Sequence, residues 1–106
     1  MPYQLSLLDK SPVVPAGHAE TALANTVSYA QAAEKAGYKR FWVAEHHHAD
    51  ELAGPSPEVL VSYLLALTKR IRIGSGGVML QHYSPYKVAE NFNLLAALGQ
   101  GRVDLG

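Results

Sequence analysis

Glu45-His46-His47-His48 directly follows the apolar run Phe41-Trp42-Val43-Ala44, so a carboxylate and three imidazoles stand together at the end of a strand-like segment. Histidine is the side chain whose ordinary pKa suits proton transfer near neutral pH. The alternation of a strand would send His46 and His48 one way and Glu45 and His47 the other, so at least one imidazole is expected to face a cavity. Polar loop residues, with the glutamate neutralised by a neighbouring cation, would give the same local pattern. A metal centre built from His46, His48, Asp50 and Glu51 is a further reading, although adjacent histidines match no standard zinc signature such as His-Glu-x-x-His.

Gly74-Ser75-Gly76-Gly77 is the second candidate. A phosphate cradle would lead into a helix N-terminus, whereas Val78-Met79-Leu80 follows here. Glycine at a strand end marks either a bulge or a place where backbone meets a ligand closely, and a flat ligand suits the second case. His82 and Tyr83 come next as weaker pocket candidates. Glu90 and Arg102 are expected to form a structural ion pair between a helix and a strand, and Trp42, Tyr63 and Phe92 to serve packing.

These residues need elements to hold them. Tyr3 to Leu8 reads as a strand ended by Asp9-Lys10-Ser11-Pro12, and Thr21 to Ala36 as a helix closed by Gly37. Phe41 to Ala44 has the continuous apolar character of a parallel strand covered on both faces. Ser56-Pro57-Glu58 starts a second helix whose expected buried stripe is Val59, Leu60, Tyr63, Leu64 and Leu67, with Lys69 and Arg70 near its negative end. A third strand lies within Ile71 to Leu80. Ser84-Pro85 starts a third helix, carrying Val88, Phe92, Leu95 and Leu98, and Arg102 to Gly106 reads as a fourth strand.

Strand starts near residues 3, 41, 71 and 103 are about 30 to 38 residues apart, close to the roughly 31 per unit of an eight-unit β/α barrel. The fold expected is α/β, the N-terminal half of a TIM (β/α)8 barrel, with four parallel strands and three helices. An open doubly wound sheet is the rival, but its first strand should run into a glycine-rich phosphate turn, and Asp9-Lys10-Ser11-Pro12 is no such turn.

Composition narrows the class. Residues 1–106, with 48% hydrophobic and 17% charged residues, make at most one domain, and nine basic residues balance nine acidic ones. That balance gives no electrostatic pull toward nucleic acid. With no cysteine, disulfides, thiolate metal sites and cysteine nucleophiles are excluded, which fits a cytoplasmic protein. Met1-Pro2-Tyr3-Gln4-Leu5-Ser6 lacks the basic region and apolar run of a signal peptide, and no apolar stretch reaches membrane-spanning length, so a soluble, unexported protein is expected.

Four segments, ordered and spaced across nearly the whole chain, resemble the bacterial luciferase-like flavin-dependent monooxygenases. They are Arg40-Phe41-Trp42-Val43-Ala44-Glu45-His46-His47, Thr68-Lys69-Arg70-Ile71-Arg72-Ile73-Gly74-Ser75-Gly76-Gly77, Ser84-Pro85 with Ala89-Glu90, and Gly101-Arg102-Val103-Asp104-Leu105-Gly106. The resemblance implies a luciferase-like β/α barrel of which residues 1–106 carry strands one to four. It implies reduced FMN as cofactor, O2 as co-substrate and a small organic substrate such as an aldehyde, oxidised in a water-poor cavity.

By position the resemblance makes His46 the catalytic residue, in an acid/base or hydrogen-bonding role near the flavin ring, with Glu45 and His47 in support or at a subunit contact. It places Ser75, Gly76 and Gly77 at the cofactor, and Gly76-Gly77 at a cis peptide beneath the ring, a bond costing roughly 3 to 4 kcal/mol unless the surroundings enforce it. A homodimer formed through early helices, and a flavin reductase as partner, are also implied. The FMN phosphate belongs to later strands, so residues 1–106 alone are expected to bind FMN weakly and not to turn over. Two other readings stay open: a non-catalytic half-barrel that self-associates, and a metal-dependent barrel hydrolase using His46 and His48.

Overall fold

A computed structural model describes residues 3–106; Met1 and Pro2, part of the N-terminal reading above, lie outside the described residues. The order is β1 (Ser6–Asp9), α1 (Ala19–Ala36), β2 (Arg40–Val43), α2 (Pro57–Leu67), β3 (Arg72–Ser75), α3 (Pro85–Leu98) and β4 (Val103–Leu105), with one 3-10 turn at Leu80–His82. The strands form one parallel sheet in the order β1-β2-β3-β4. Strands and helices thus alternate as in four units of the expected barrel, and the sheet order runs in sequence without a switch point, unlike the doubly wound alternative. No described helix is long and apolar enough to cross a membrane.

Alternation along each strand sorts the sheet into two faces. Phe41, Val43 and Ile73 are fully buried in one hydrophobic cluster with Ala30 and Ala33 of α1, Val61, Leu64 and Leu65 of α2, and Val88, Phe92 and Leu95 of α3. The small residues Ala22, Thr26, Ala30 and Ala33 form the buried side of α1. Gly37 ends that helix in the left-handed conformation, φ +88°, returning its N–H to Glu34 O while Tyr38 N–H reaches Ala33 O.

The buried face of α2 differs from the expected stripe. Val61, Leu64 and Leu65 are its buried aliphatic residues, whereas Val59, Tyr63 and Leu67 are exposed. The helix is apolar around most of its circumference, so hydrophobicity alone does not select a face. Tyr63 therefore does no core packing, Phe92 does, and Leu98 is exposed on α3.

The opposite sheet face carries Trp42 across the strand ends. A Cβ on Gly74 would stand 2.7 Å from the indole and 2.6 Å from the Asp104 carbonyl, so glycine there is what lets Trp42 lie over β3. Arg40 stacks on the same indole with its guanidinium carbon 5.2 Å from the ring centroid. Arg40 Nε and Arg72 Nε both donate to Asp104 Oδ2, at 2.7 and 2.8 Å, and Arg72 Nη2 donates to Oδ1 at 2.8 Å. The arginine hydrogen bonds hold the Asp104 carboxyl at about 2, against the opposing effect of burial.

Charged side chains also close the backbone at the N-terminal ends of the strands. Glu34 accepts from the N–H groups of Lys69, Arg70 and Ile71, tying α1 to the turn before β3. Lys69 and Arg70 thus follow α2 as a captured turn. Arg102 does not pair with Glu90, the partner expected from sequence. It donates to Leu65 O and Thr68 O, to Thr68 Oγ1 and to Ile71 O, at 2.9 to 3.3 Å. The C-terminal carbonyls of α2 lack intrahelical partners and lie nearer than the exposed Glu90, so they take the guanidinium instead.

Two outcomes follow for stability. Arg102→Ala strips these carbonyls of their cap and should lower unfolding free energy by about 2 to 3 kcal/mol, read as a lower urea midpoint at unchanged slope. Asp104 has a depressed pKa in the folded state, so its contribution is complete above its ordinary value of 3.8 and is lost as pH falls toward about 2. Urea unfolding at successive pH values should show about 1 to 2 kcal/mol of loss across that window, largely absent in Asp104→Asn.

Candidate active site at the ends of the strands

Parallel strands joined by helical crossovers bring all their C-terminal ends to one edge. There the loop after β1 and the loop after β2 are sewn together. Pro12 and Leu52 form an antiparallel bridge, Val13 N–H donates to Glu51 O at 2.6 Å, Ala53 N–H to Ser11 O at 2.9 Å, and His46 N–H to Gly54 O at 2.9 Å.

Asp9 anchors the first loop. Its buried carboxylate accepts from Ser11 N–H at 3.1 Å, Ser11 Oγ at 3.3 Å and Thr26 Oγ1 at 2.6 Å, and the two hydroxyls lie 2.8 Å apart. Sequence reasoning took Asp9 only as a strand end. The signal available was aspartate two residues before serine, the spacing at which an aspartate side chain bonds the backbone of its own turn.

Glu45 does the same for β2 and β3. It is 8% exposed, and its Oε2 accepts from Tyr83 Oη at 2.5 Å and pairs with His47 Nε2 at 2.6 Å, while Oε1 accepts from Met79 N–H at 3.2 Å. Burial pushes the Glu45 carboxyl up, but these three donors outweigh it and leave it below the ordinary carboxylate range. The same bond to Glu45 pushes the Tyr83 phenol up to about 12. Tyr83, a weaker candidate by sequence, is thus joined directly to the motif. His82 meets the His47 ring edge-on, with centroids 5.7 Å apart.

β2 ends at Val43, so the run from Glu45 to His48 is not the strand expected, but Glu45 and His47 meet each other. His46 is separate from them: its Nδ1 is buried and has no hydrogen-bond partner among the described residues. His48 turns the chain out of the strand with φ +53°. No group of three His, Asp or Glu side chains among the described residues is arranged to hold a metal ion.

Ser75 is fully buried, and its Oγ accepts from Gly106 N–H at 3.2 Å. Gly76 N–H donates to Val43 O at 2.6 Å, which keeps the chain beside β2 for one residue past β3. A Cβ on Gly76 would come 2.8 Å from Leu8 Cδ1, while Gly77 has φ +135° and no atom near its Cβ position. The cis peptide implied at Gly76-Gly77 is absent, as all peptide bonds among the described residues are trans.

The backbone amides of Gly76 and Gly77 and the unpaired nitrogen of His46 lie at the ends of neighbouring strands. Glycine at such a position permits close approach to the backbone, and an imidazole nitrogen can give or accept a proton.

Known proteins share this fold. The chain is 61% identical over 106 residues to the N-acetyl-S-alkylcysteine monooxygenase of Bacillus subtilis (strain 168), covering 97% of this chain and 31% of that protein. The crystal structure of apo-MsnO8 superposes with a TM-score of 0.95 at 47% identity, covering 97% of this chain and 31% of that one. The FMN complex of the oxygenating constituent of 3,6-diketocamphane monooxygenase from Pseudomonas putida has the same fold, with a TM-score of 0.89 at 24% identity, over 97% of this chain and 28% of that one. The chain therefore spans about a third of the length of the relatives it matches. Residues 4–106 match the family model of the luciferase-like monooxygenases, and the chain belongs to that family.

Proposed function

We propose that these residues form the strand-one-to-four portion of an FMN-dependent monooxygenase that oxidises a small organic substrate with O2, reduced FMN being supplied by a flavin reductase. The observation that carries this reading is the buried, unpaired Nδ1 of His46 just past the end of β2, in a chain of this family whose Gly76-Gly77 follows the neighbouring strand β3. The site's residues fit a flavin: glycine backbone permits close approach of a ring system, and a buried imidazole nitrogen without a partner is a site for one hydrogen bond.

When bound, FMN supplies the electrons and the oxygen chemistry. The chain's own residues would do the rest. His46 would hold or move a proton at Nδ1, Gly76 and Gly77 would form the floor, and Ser75 would keep that floor attached to the end of β4. The FMN phosphate would be held by the part of the barrel that these residues do not span.

The exposed apolar side chains Val59 and Tyr63 of α2, and Leu94 and Leu98 of α3, support a homodimer formed through the helices. A half-barrel closing on a second copy through the unpaired edges of β1 and β4 is the second reading. Its inner face would then hold two copies of a cluster in which Arg40 and Arg72 share the single carboxylate of Asp104, and burying like charge together opposes that closure.

Titration with FMN tests the flavin reading. The chain alone should give no stoichiometric micromolar complex, while roughly millimolar FMN should shift the NMR resonances of the His46 ring and the Gly76 and Gly77 amides. A tight complex would place the phosphate site within these residues, and an absence of shifts at His46 and the two glycines would overturn the assignment. Light scattering should give a dimer that Tyr63→Glu or Leu94→Glu dissociates; a dimer indifferent to both would favour closure through the strand edges.

A further inference from the structure

The segment from Gly76 to Ser84 has little regular structure of its own, only the 3-10 turn at Leu80–His82 with Tyr83 N–H returning to Leu80 O. Past the Gly76 N–H, the hydrogen bonds that tie it to the end of β2 converge on one carboxylate. Met79 N–H takes Oε1 of Glu45 and Tyr83 Oη takes Oε2. Gly77, unconstrained by any Cβ contact and at φ +135°, stands between these ties and β3. The Tyr83 ring packs against the hydrophobic core, so its hydroxyl is delivered from a fixed base.

We propose that Tyr83 is a positioning residue of this site: its phenol, donating to Glu45, locks the segment after β3 to the end of β2 and so fixes the gap between the Gly76-Gly77 backbone and His46. The purpose of that gap rests on the flavin reading, but the lock itself does not. Both oxygens of Glu45 are engaged, by Tyr83, His47 and the Met79 amide, so it holds the frame while the Nδ1 of His46 has no partner. Two hydroxyl or imidazole donors on one carboxylate oxygen also orient His47, whose Nε2 lies 3.4 Å from the phenol. The other charged group acting on Tyr83 is Glu58 of α2.

Tyr83→Phe keeps the packed ring and removes the one donor. In the chain without flavin, the carboxyl resonance of Glu45 should then titrate at higher pH than in the parent, because an interaction that favours its anion is gone. Hydrogen exchange at the Met79 amide should speed up by roughly tenfold or more while amides of Phe41 and Ile73 stay protected. Glu45→Gln, which weakens both ties, should speed exchange at Met79 as well. An unchanged Glu45 titration, or an unchanged Met79 exchange rate in Tyr83→Phe, would show that Tyr83 only packs, and would overturn the proposal. FMN separates the two readings: no response in the parent chain removes the flavin reading and leaves these flavin-free measurements to decide the lock. A response at His46, Gly76 and Gly77 that is identical in parent and Tyr83→Phe would show that the lock does not set the gap.

Discussion

Every strand here is parallel to its neighbours, and that constraint shapes the rest of the molecule. A parallel pair cannot be joined by a tight hairpin, so each connection must travel back along the sheet, and a helix is the connection that satisfies its own backbone on the way. The helix-facing side chains Phe41, Val43 and Ile73 are consequently buried without remainder, while the other face holds Trp42, the arginine pair and Asp104. The same constraint collects the ends of β1, β2 and β3 at one edge. Residues far apart in sequence, Asp9, Val43 and Ser75, become neighbours in the sheet because Asp9 is in register with Val43, and Val43 with Ser75, and Glu45 follows two residues beyond that row.

Loops that leave such an edge have backbone groups with no ladder to join. The chain meets that need with buried carboxylates. Asp9 gathers Ser11 and Thr26, and Glu45 gathers Tyr83, His47 and the Met79 amide. At the opposite end, Glu34 takes three consecutive N–H groups and Arg102 takes three carbonyl oxygens and one hydroxyl. A buried charge without such partners costs several kcal/mol, and one with them organises the groups around it. Four of the chain's charged residues thus act on local backbone groups, hydroxyls and, at Glu45, an imidazole.

The strands and helices were legible because each produces a local pattern. Covered parallel strands are short apolar runs, and serine-proline or glycine marks the helix ends; β2 and α1 accordingly begin within two residues of where the pattern puts them. What was not legible depends on direction in space. Leu60, Val61, Leu64 and Leu65 are equally apolar neighbours of Val59, Tyr63 and Leu67, so the sequence of α2 does not state which side meets β3. Arg102 was paired with Glu90 on spacing, but the free carbonyls that claim it arise only where α2 stops. For the site, position within the strand order pointed to Glu45, His46 and the glycines, whereas the roles of Asp9 and Tyr83 required the loops to be folded over one another.

The three residues of Glu45-His46-His47 look interchangeable as a polar run, and geometry divides them. A carboxylate oxygen shared between a phenol and an imidazole is committed to orientation: releasing it would leave a buried anion without two of its donors. His47, held by that oxygen, is committed as well. His46 alone combines a backbone N–H fixed to Gly54 with a ring nitrogen that nothing in the fold uses. A protein tolerates a buried unpaired nitrogen at a cost of about 1 to 3 kcal/mol, and that cost is recovered when a ligand supplies the missing partner. The unpaired Nδ1 is therefore the atom on which the role proposed for His46 rests.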